Sequence, residues 1–253
     1  MADVLIKGKD ICKSFANNGR QNHVLNMLNI EIYEGDFTVI MGRSGSGKST
    51  LLYALSGMDR ITSGEVIYKE EVISRYNETK MAAIRANDFG FVFQQAHLVS
   101  NLTLFENVAV TGYLSKDRKY KEVNDEADKL LEMMNVNEAK DRLPSQVSGG
   151  EAQRCAIARA LINHPQIIFA DEPTGALNKS NTTDVLNLMT DINERGQSIL
   201  MVTHDLKAAI RATRLLYLED GRVIGEMKLN RYSSEDAKSR EAQVNAWLTS
   251  LNW

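Results

Sequence analysis

This sequence is short of several things, and each shortage excludes something. It has two cysteines in 253 residues, Cys12 and Cys155. They match no metal-ligand spacing, so a reducing cytoplasm suits the chain. It has no basic excess. The formal net charge is -3, which gives no reason to expect a nucleic-acid surface. It has no long apolar run either. The longest uncharged stretch, Phe89 to Phe105, contains Gln94, Gln95, His97 and Asn101. That is too short and too polar to span a bilayer. Charge interrupts Met1–Lys7 before any apolar segment forms, so no signal peptide is read there. Any membrane role is expected to be peripheral. No internal repeat or low-complexity segment stands out.

What is present suffices for a core. Hydrophobic residues make up 43% and charged residues 25% of the chain, a globular balance with room for one large domain or two small ones. The apolar run Phe37–Met41 reads as a buried strand. It breaks into Gly42-Arg43-Ser44-Gly45-Ser46-Gly47-Lys48-Ser49-Thr50, after which Leu51, Leu52, Leu55 and Met58 recur at helical spacing. Strand, glycine-rich loop and helix form the context of a phosphate-binding loop, with spacing G-x-x-x-x-G-K-[ST]. Glycines let the backbone turn around a phosphate, the helix offers its positive end, Lys48 reaches terminal phosphates and the Ser49 hydroxyl suits Mg²⁺.

Residues 1–36 read as short strands with turns, with a polar loop from Ala16 to Gln21. Gly64 to Ile73 reads as a small β element. Thr103-Leu104-Phe105-Glu106 is a capping box, and Val123, Ala127, Leu130, Leu131 and Met134 share one helical face. Ser148-Gly149-Gly150 opens a helix. Val185, Leu188, Met189 and Ile192 mark the buried side of another, stopped by Gly196. Leu215–Leu218, Asp220-Gly221 and Arg222–Met227 read as a hairpin with a primed turn. Apolar strands without alternation, separated by helices, predict an α/β fold with a mainly parallel sheet.

Three strand ends carry polar groups. Asp171 and Glu172 follow Ile167–Ala170, His204 follows Ile199–Val202, and Gln94 ends Phe91–Phe93. Ligands sit beyond the carboxyl ends of strands in such sheets. Asp171 suits Mg²⁺, Glu172 a polarised water, and Gln94 either metal ligation or water orientation. Each alone is an ordinary polar turn residue; their weight is joint. Ser148-Gly149-Gly150-Glu151 is a second anion-receptive helix start, or an ordinary N-cap.

From about Leu5 to about Leu229 the chain resembles an ATP-binding subunit of an ABC transporter. Gly42–Ser49 is similar to the Walker A loop, Ile167–Glu172 to the Walker B strand, and Val147-Ser148-Gly149-Gly150-Glu151 to the signature. Gln94 resembles the Q-loop residue, His204 the H-switch, and Phe15 the aromatic that stacks on adenine. Gly90–Gln95 and Asp171-Glu172-Pro173-Thr174-Gly175 resemble the lipoprotein-release, macrolide-export and bacitracin-type resistance branch. The resemblance implies a P-loop (RecA-like) core with an N-terminal antiparallel β subdomain and an inserted helical subdomain at about 96–150. It implies ATP and Mg²⁺, with Ser49, Gln94 and Asp171 toward the metal. It also implies catalysis by Glu172 with His204 and Gln94, and a head-to-tail dimer in which Ser148, Gly149, Gly150 and Glu151 meet the nucleotide of the second copy. The partner it implies is a membrane permease, docked near Leu98, Val99, Leu102 and Phe105 at the cytoplasmic face. Three positions depart from the family pattern: Val147 for Leu, Glu151 for Gln, and Asn178 for the D-loop Asp, which bears on coupling between sites. A non-transport ATPase of the cell-division type would use the same site. An ATP-binding scaffold without turnover is opposed by Glu172 and His204. In the tail, Asn230–Trp253, a stripe of Val244, Trp247, Leu248 and Leu251 is expected to pack on the chain's own body or else to serve a partner.

Overall fold

The computed structural model describes residues 3–17, 20–115 and 118–253. In chain order the strands and helices begin with β1 (Val4–Asn17), β2 (Arg20–Tyr33), β3 (Phe37–Met41), α1 (Lys48–Leu55), β4 (Ser63–Tyr68) and β5 (Glu71–Val72). There follow α2 (Glu78–Asn87), β6 (Phe89–Phe93), α3 (Leu104–Gly112), α4 (Tyr120–Met133), α5 (Gly149–Leu161), β7 (Ile167–Asp171) and α6 (Lys179–Glu194). The chain closes with β8 (Ser198–Val202), α7 (Leu206–Ala209), β9 (Arg214–Glu219), β10 (Arg222–Lys228) and α8 (Ala237–Ser250). Two compact units emerge, one of residues 1–81 and 193–253, the other of residues 82–192.

The first unit holds two sheets. One is antiparallel, in the order β2-β1-β4-β5. In the other, β3 lies between β8 and β9 and runs parallel to both, while β10 returns antiparallel to β9. All five residues of β3 and of β8 are buried, which is why these strands read as unbroken apolar runs rather than alternating ones. The β9–β10 turn has positive φ at both central residues, 46° at Asp220 and 72° at Gly221, the primed geometry that matches strand twist.

The N-terminal strands are longer than the sequence suggests. β1 and β2 pair along their length, and Ala16 faces Gln21 across the ladder. The predicted loop from Ala16 to Gln21 is therefore corrected: its flanks are strand, because cross-strand pairing satisfies polar positions that propensity alone assigns to a loop. Asn18 and Gly19 lie outside the described residues. Met58 is a second correction. α1 ends at Leu55, and Met58 is 44% exposed.

In the second unit β6 and β7 run parallel, with Phe89 opposite Ile167 and Phe93 opposite Asp171. Phe169 meets Phe89 edge-on at 5.1 Å and stacks on Phe91 at 5.6 Å, which holds that register by aromatic packing. α3 carries the predicted capping box. Val123, Ala127, Leu130, Leu131 and Met134 are all buried. On α6 the buried face includes Leu186, while Leu188 is half-buried.

The tail packs within the first unit. Val244 and Leu248 are fully buried, and Trp247 and Leu251 lie against Gly225, where an added Cβ would sit 3.1 and 2.8 Å from them. Arg240, 6% exposed, donates to the carbonyls of Ile210, Ala212 and Asn230. Burying one Val or Leu is worth roughly 1.5–3 kcal/mol. Truncation after Asn230 is therefore expected to lower Tm by on the order of 10 °C in a thermal melt, since one kcal/mol shifts a domain of this size by about 2–4 °C. An unchanged Tm would show that the tail is not part of the fold.

Candidate functional site

The phosphate loop is built by β3 and α1. β3 delivers the chain to Gly42, and α1 begins at Lys48 after Gly47, whose φ of 99° is left-handed. A β-carbon there would lie 3.1 Å from Val24, so both conformation and space call for glycine. Arg43, Ser44 and Gly45 form an exposed rim, while Ser46, Gly47 and Lys48 are buried beneath it. Lys48, 7% exposed, turns its ammonium inward and donates to the carbonyls of Gly42 at 2.8 Å and Arg43 at 3.0 Å. The Ser46 hydroxyl is buried and has no hydrogen-bond partner among the described atoms. A buried lysine and an unsatisfied hydroxyl under a loop that opens a helix are suited to an anion. The loop fits a nucleotide phosphate.

Other groups of this unit surround the loop. The Arg43 guanidinium donates to the Asn252 carbonyl in the tail. Thr203 N–H donates to the Ile40 carbonyl at 3.2 Å. This brings the end of β8, and the exposed His204 after it, beside the end of β3. Asp205 then caps α7 by accepting from Lys207 N–H at 2.8 Å. Phe15, on β1, is 44% exposed. Ser49 and Thr50 are half-buried in the first turn of α1.

The second unit brings Gln94, Asp171 and Glu172 together. The pairing of Phe93 with Asp171 puts Gln94 and Glu172 one residue beyond the ends of adjacent parallel strands. Glu172 sits at a φ of 46°, a conformation uncommon for a non-glycine residue and costly enough to need support. The Gln94 amide packs on the loop after Glu172, where a Cβ on Gly175 would come within 2.8 Å of its Nε2.

Ser148 caps α5 in a full capping box. Its hydroxyl and its N–H both donate to the Glu151 carboxylate, at 2.7 and 2.8 Å, and its hydroxyl accepts from Glu151 N–H at 3.2 Å. These bonds hold the Glu151 carboxyl below the usual carboxylate range. The donors at this helix start are thus engaged by the chain's own anion. Asn178 accepts from Asn181 N–H at 2.9 Å through its side chain, a cap that Asn and Asp make equally well.

Several supporting residues were not singled out by the sequence. Gln153 on α5, 1% exposed, donates to the Phe93 carbonyl at 2.8 Å. Arg159, six residues further along α5, donates to the Ala96 and His97 carbonyls, each at 2.8 Å. The helix that starts at Ser148 therefore fixes the backbone on both sides of Gln94. Asn107 on α3 donates to the Val99, Leu102 and Thr103 carbonyls. A polar residue on an otherwise Ala- and Ile-rich helical face is the signal that finds Gln153. Of the apolar residues expected to meet a permease, Leu98, Leu102 and Phe105 are half-buried and Val99 is 48% exposed. Burial pushes the Cys155 thiol up to about 12, which removes it as a nucleophile at neutral pH.

A strand, a glycine-rich phosphate loop with a buried lysine and a helix, beside parallel strands, define the fold of a P-loop nucleoside triphosphatase. Comparison with known proteins narrows it. The ABC transporter family matches residues 25–175. The chain is 36% identical, over its whole length, to the macrolide export ATP-binding/permease protein MacB of Pasteurella multocida, of which it spans 38%. It is 41% identical over 87% of its length to the ABC transporter ATP-binding protein MJ1508 of Methanocaldococcus jannaschii, covering 98% of that protein. The ATP-binding cassette MJ0796, solved as a dimer in a post-hydrolysis state with ADP and Pi, superposes with a TM-score of 0.83 at 36% identity. That match covers 90% of this chain and all of the other. CbiO1 of Clostridium perfringens, part of a transporter complex, gives 0.79 at 26% identity over 89% of both chains. The chain belongs to the ABC transporter family, as its ATP-binding and ATP-hydrolysing cassette. The expected α/β fold with its N-terminal antiparallel sheet and helical part is borne out. No helix among the described residues is long and apolar enough to cross a membrane.

Proposed function

We propose that this cassette binds MgATP on the Lys48 loop and hydrolyses it to drive a membrane permease, with the chain held peripherally at the cytoplasmic face. The observation that carries the reading is the loop itself: an inward lysine, a buried unpaired hydroxyl and a helix start. Gly42 to Thr50 wrap the phosphates, and Phe15 stacks on the adenine. Ser49, Gln94 and Asp171 supply a hydroxyl, an amide and a carboxylate, hard oxygen donors of the kind Mg²⁺ takes alongside substrate phosphates. The metal would neutralise developing phosphate charge.

Glu172 accepts a proton from water as that water attacks the γ-phosphorus. The bond to the β–γ bridging oxygen breaks, leaving ADP and phosphate. His204 steadies the γ-phosphate oxygens and Gln94 orients the water. Ser148, Gly149, Gly150 and Glu151 face the nucleotide of a second copy in a head-to-tail dimer, in which Ser148 exchanges its bond to Glu151 for one to phosphate. Residues 1–229 form the ATP-binding domain with a helical subdomain at about 96–150, and 230–253 a helical tail. The half-exposed apolar residues Leu98, Val99, Leu102 and Phe105, set by Asn107, are the surface offered to the permease. Resemblance to the macrolide-export branch supports a lipophilic or peptide cargo. Asn178 is the residue through which coupling between the two sites departs from the family.

Phosphate release and membrane co-isolation together test this reading. Turnover is expected with ATP and Mg²⁺, to vanish when Mg²⁺ is chelated, and the chain is expected to co-purify with an integral membrane protein. Turnover without a divalent cation, or recovery with no membrane partner, would count against it.

A further inference from the structure

Lys13 carries a charge that the phosphate chemistry does not use. It is 8% exposed, and a lysine is seldom that buried without partners. Its ammonium donates to Asp59 Oδ1 at 2.7 Å and to the Arg60 carbonyl at 2.6 Å. It also lies 4.7 Å from the centroid of the Phe15 ring, within reach of a cation–π attraction. The ladder of β1 shifts register on both sides of Lys13, and such irregularities re-aim side chains. Asp59 in turn follows α1 closely, its N–H donating to the Tyr53 carbonyl at 3.1 Å. A continuous set of contacts thus runs from the Phe15 ring through Lys13 and Asp59 to the helix that begins at the phosphate loop.

We propose that Lys13 is a positioning residue for the nucleotide base. It holds the Phe15 ring from one face and leaves the other for a purine, at a separation from the phosphate loop set through Asp59 and α1. The ligand class is a purine nucleoside triphosphate, and the inference rests on the reading that Phe15 stacks on the base. A structural anchor alone would affect every ligand of the loop alike; a base-positioning residue affects only ligands that have a base.

Calorimetric titration of the full chain with ATP and with inorganic tripolyphosphate, which lacks a base, separates the two. Phe15→Ala and Lys13→Met are each expected to weaken ATP by about 3- to 10-fold, the range of one cation–π or stacking contact, and to leave tripolyphosphate unchanged. The double variant should be no weaker than Phe15→Ala, because the two act as one unit. Lys13→Arg should restore most of the loss. If Lys13→Met does not fold, Asp59→Asn keeps the ammonium, loosens its anchor and should show a smaller loss confined to ATP. Equal weakening of both ligands by Lys13→Met, full additivity with Phe15→Ala, or unchanged ATP affinity beside a base-specific Phe15→Ala would each overturn the proposal. No base-specific loss in Phe15→Ala would instead remove the stacking reading, and the role of Lys13 with it.

Discussion

Replacing Glu172 by Gln is expected to slow ATP hydrolysis by about 10²- to 10⁴-fold, the range that general-base catalysis typically supplies, while ATP still binds. The amide keeps the size of the carboxylate and cannot accept the proton of the attacking water. The backbone at Glu172 is held in a left-handed conformation at the end of β7, and the substitution leaves that support in place. The loss should therefore fall on the rate and not on the fold. Phosphate release under saturating MgATP measures it. A variant that turns over within a few-fold of the parent would assign the base elsewhere.

Lys48→Ala is expected to act one step earlier. The ammonium is the buried cation of the loop, and hydrogen bonds to charged groups are worth roughly 1.5–3 kcal/mol each. Losing it should weaken ATP by about 10- to 100-fold and leave hydrolysis undetectable. Among the bonds it loses within the protein are those to the buried Gly42 carbonyl and to the Arg43 carbonyl on the exposed rim, and the space the side chain vacates lets water take its place. The far-UV spectrum and Tm are accordingly expected to stay close to the parent. Undiminished turnover would falsify the assignment of the phosphate loop.

How much of this was legible depends on where the signal lies. β3, β6, β7 and β8 are visible because strands covered on both faces keep unbroken apolar runs, and each run ends on a marked residue: Gly42, Gln94, Glu172, His204. The capping boxes at Thr103 and Ser148 are local chemistry four residues long, which a sequence displays directly. The long N-terminal hairpin was not visible, because β1 shifts register repeatedly along β2 and so lacks a clean period of two.

The least legible residues are buried polar ones. Lys13, Asn107, Gln153 and Arg240 each bond to main-chain carbonyls. Most of those acceptors are distant in sequence, and a carbonyl has no residue identity to match. In the sequence such side chains look like solvent-facing positions. In the structure Gln153 fixes the backbone next to Gln94 and Asn107 fixes the turn from Val99 to Thr103, while Arg240 secures the tail. The same limit applies to Glu151. Its bond to the Ser148 N–H belongs to that capping box, and only the geometry reveals that the same carboxylate oxygen also accepts from the Ser148 hydroxyl.

The most direct test of the whole account is the mass of the protein in solution, by size-exclusion chromatography with light scattering. Without ATP the chain is expected to be a monomer, because the proposed interface consists largely of phosphate-binding loops. Glu172→Gln with ATP should trap the closed state as a stable dimer. Adding Ser148→Arg places bulk and charge where the nucleotide of the second copy would lie, and should return that protein to monomer while its own Lys48 loop still binds ATP. A double variant that remains a dimer with ATP would mean that Ser148 does not meet the nucleotide of the second copy, and would contradict the sandwich on which the mechanism rests.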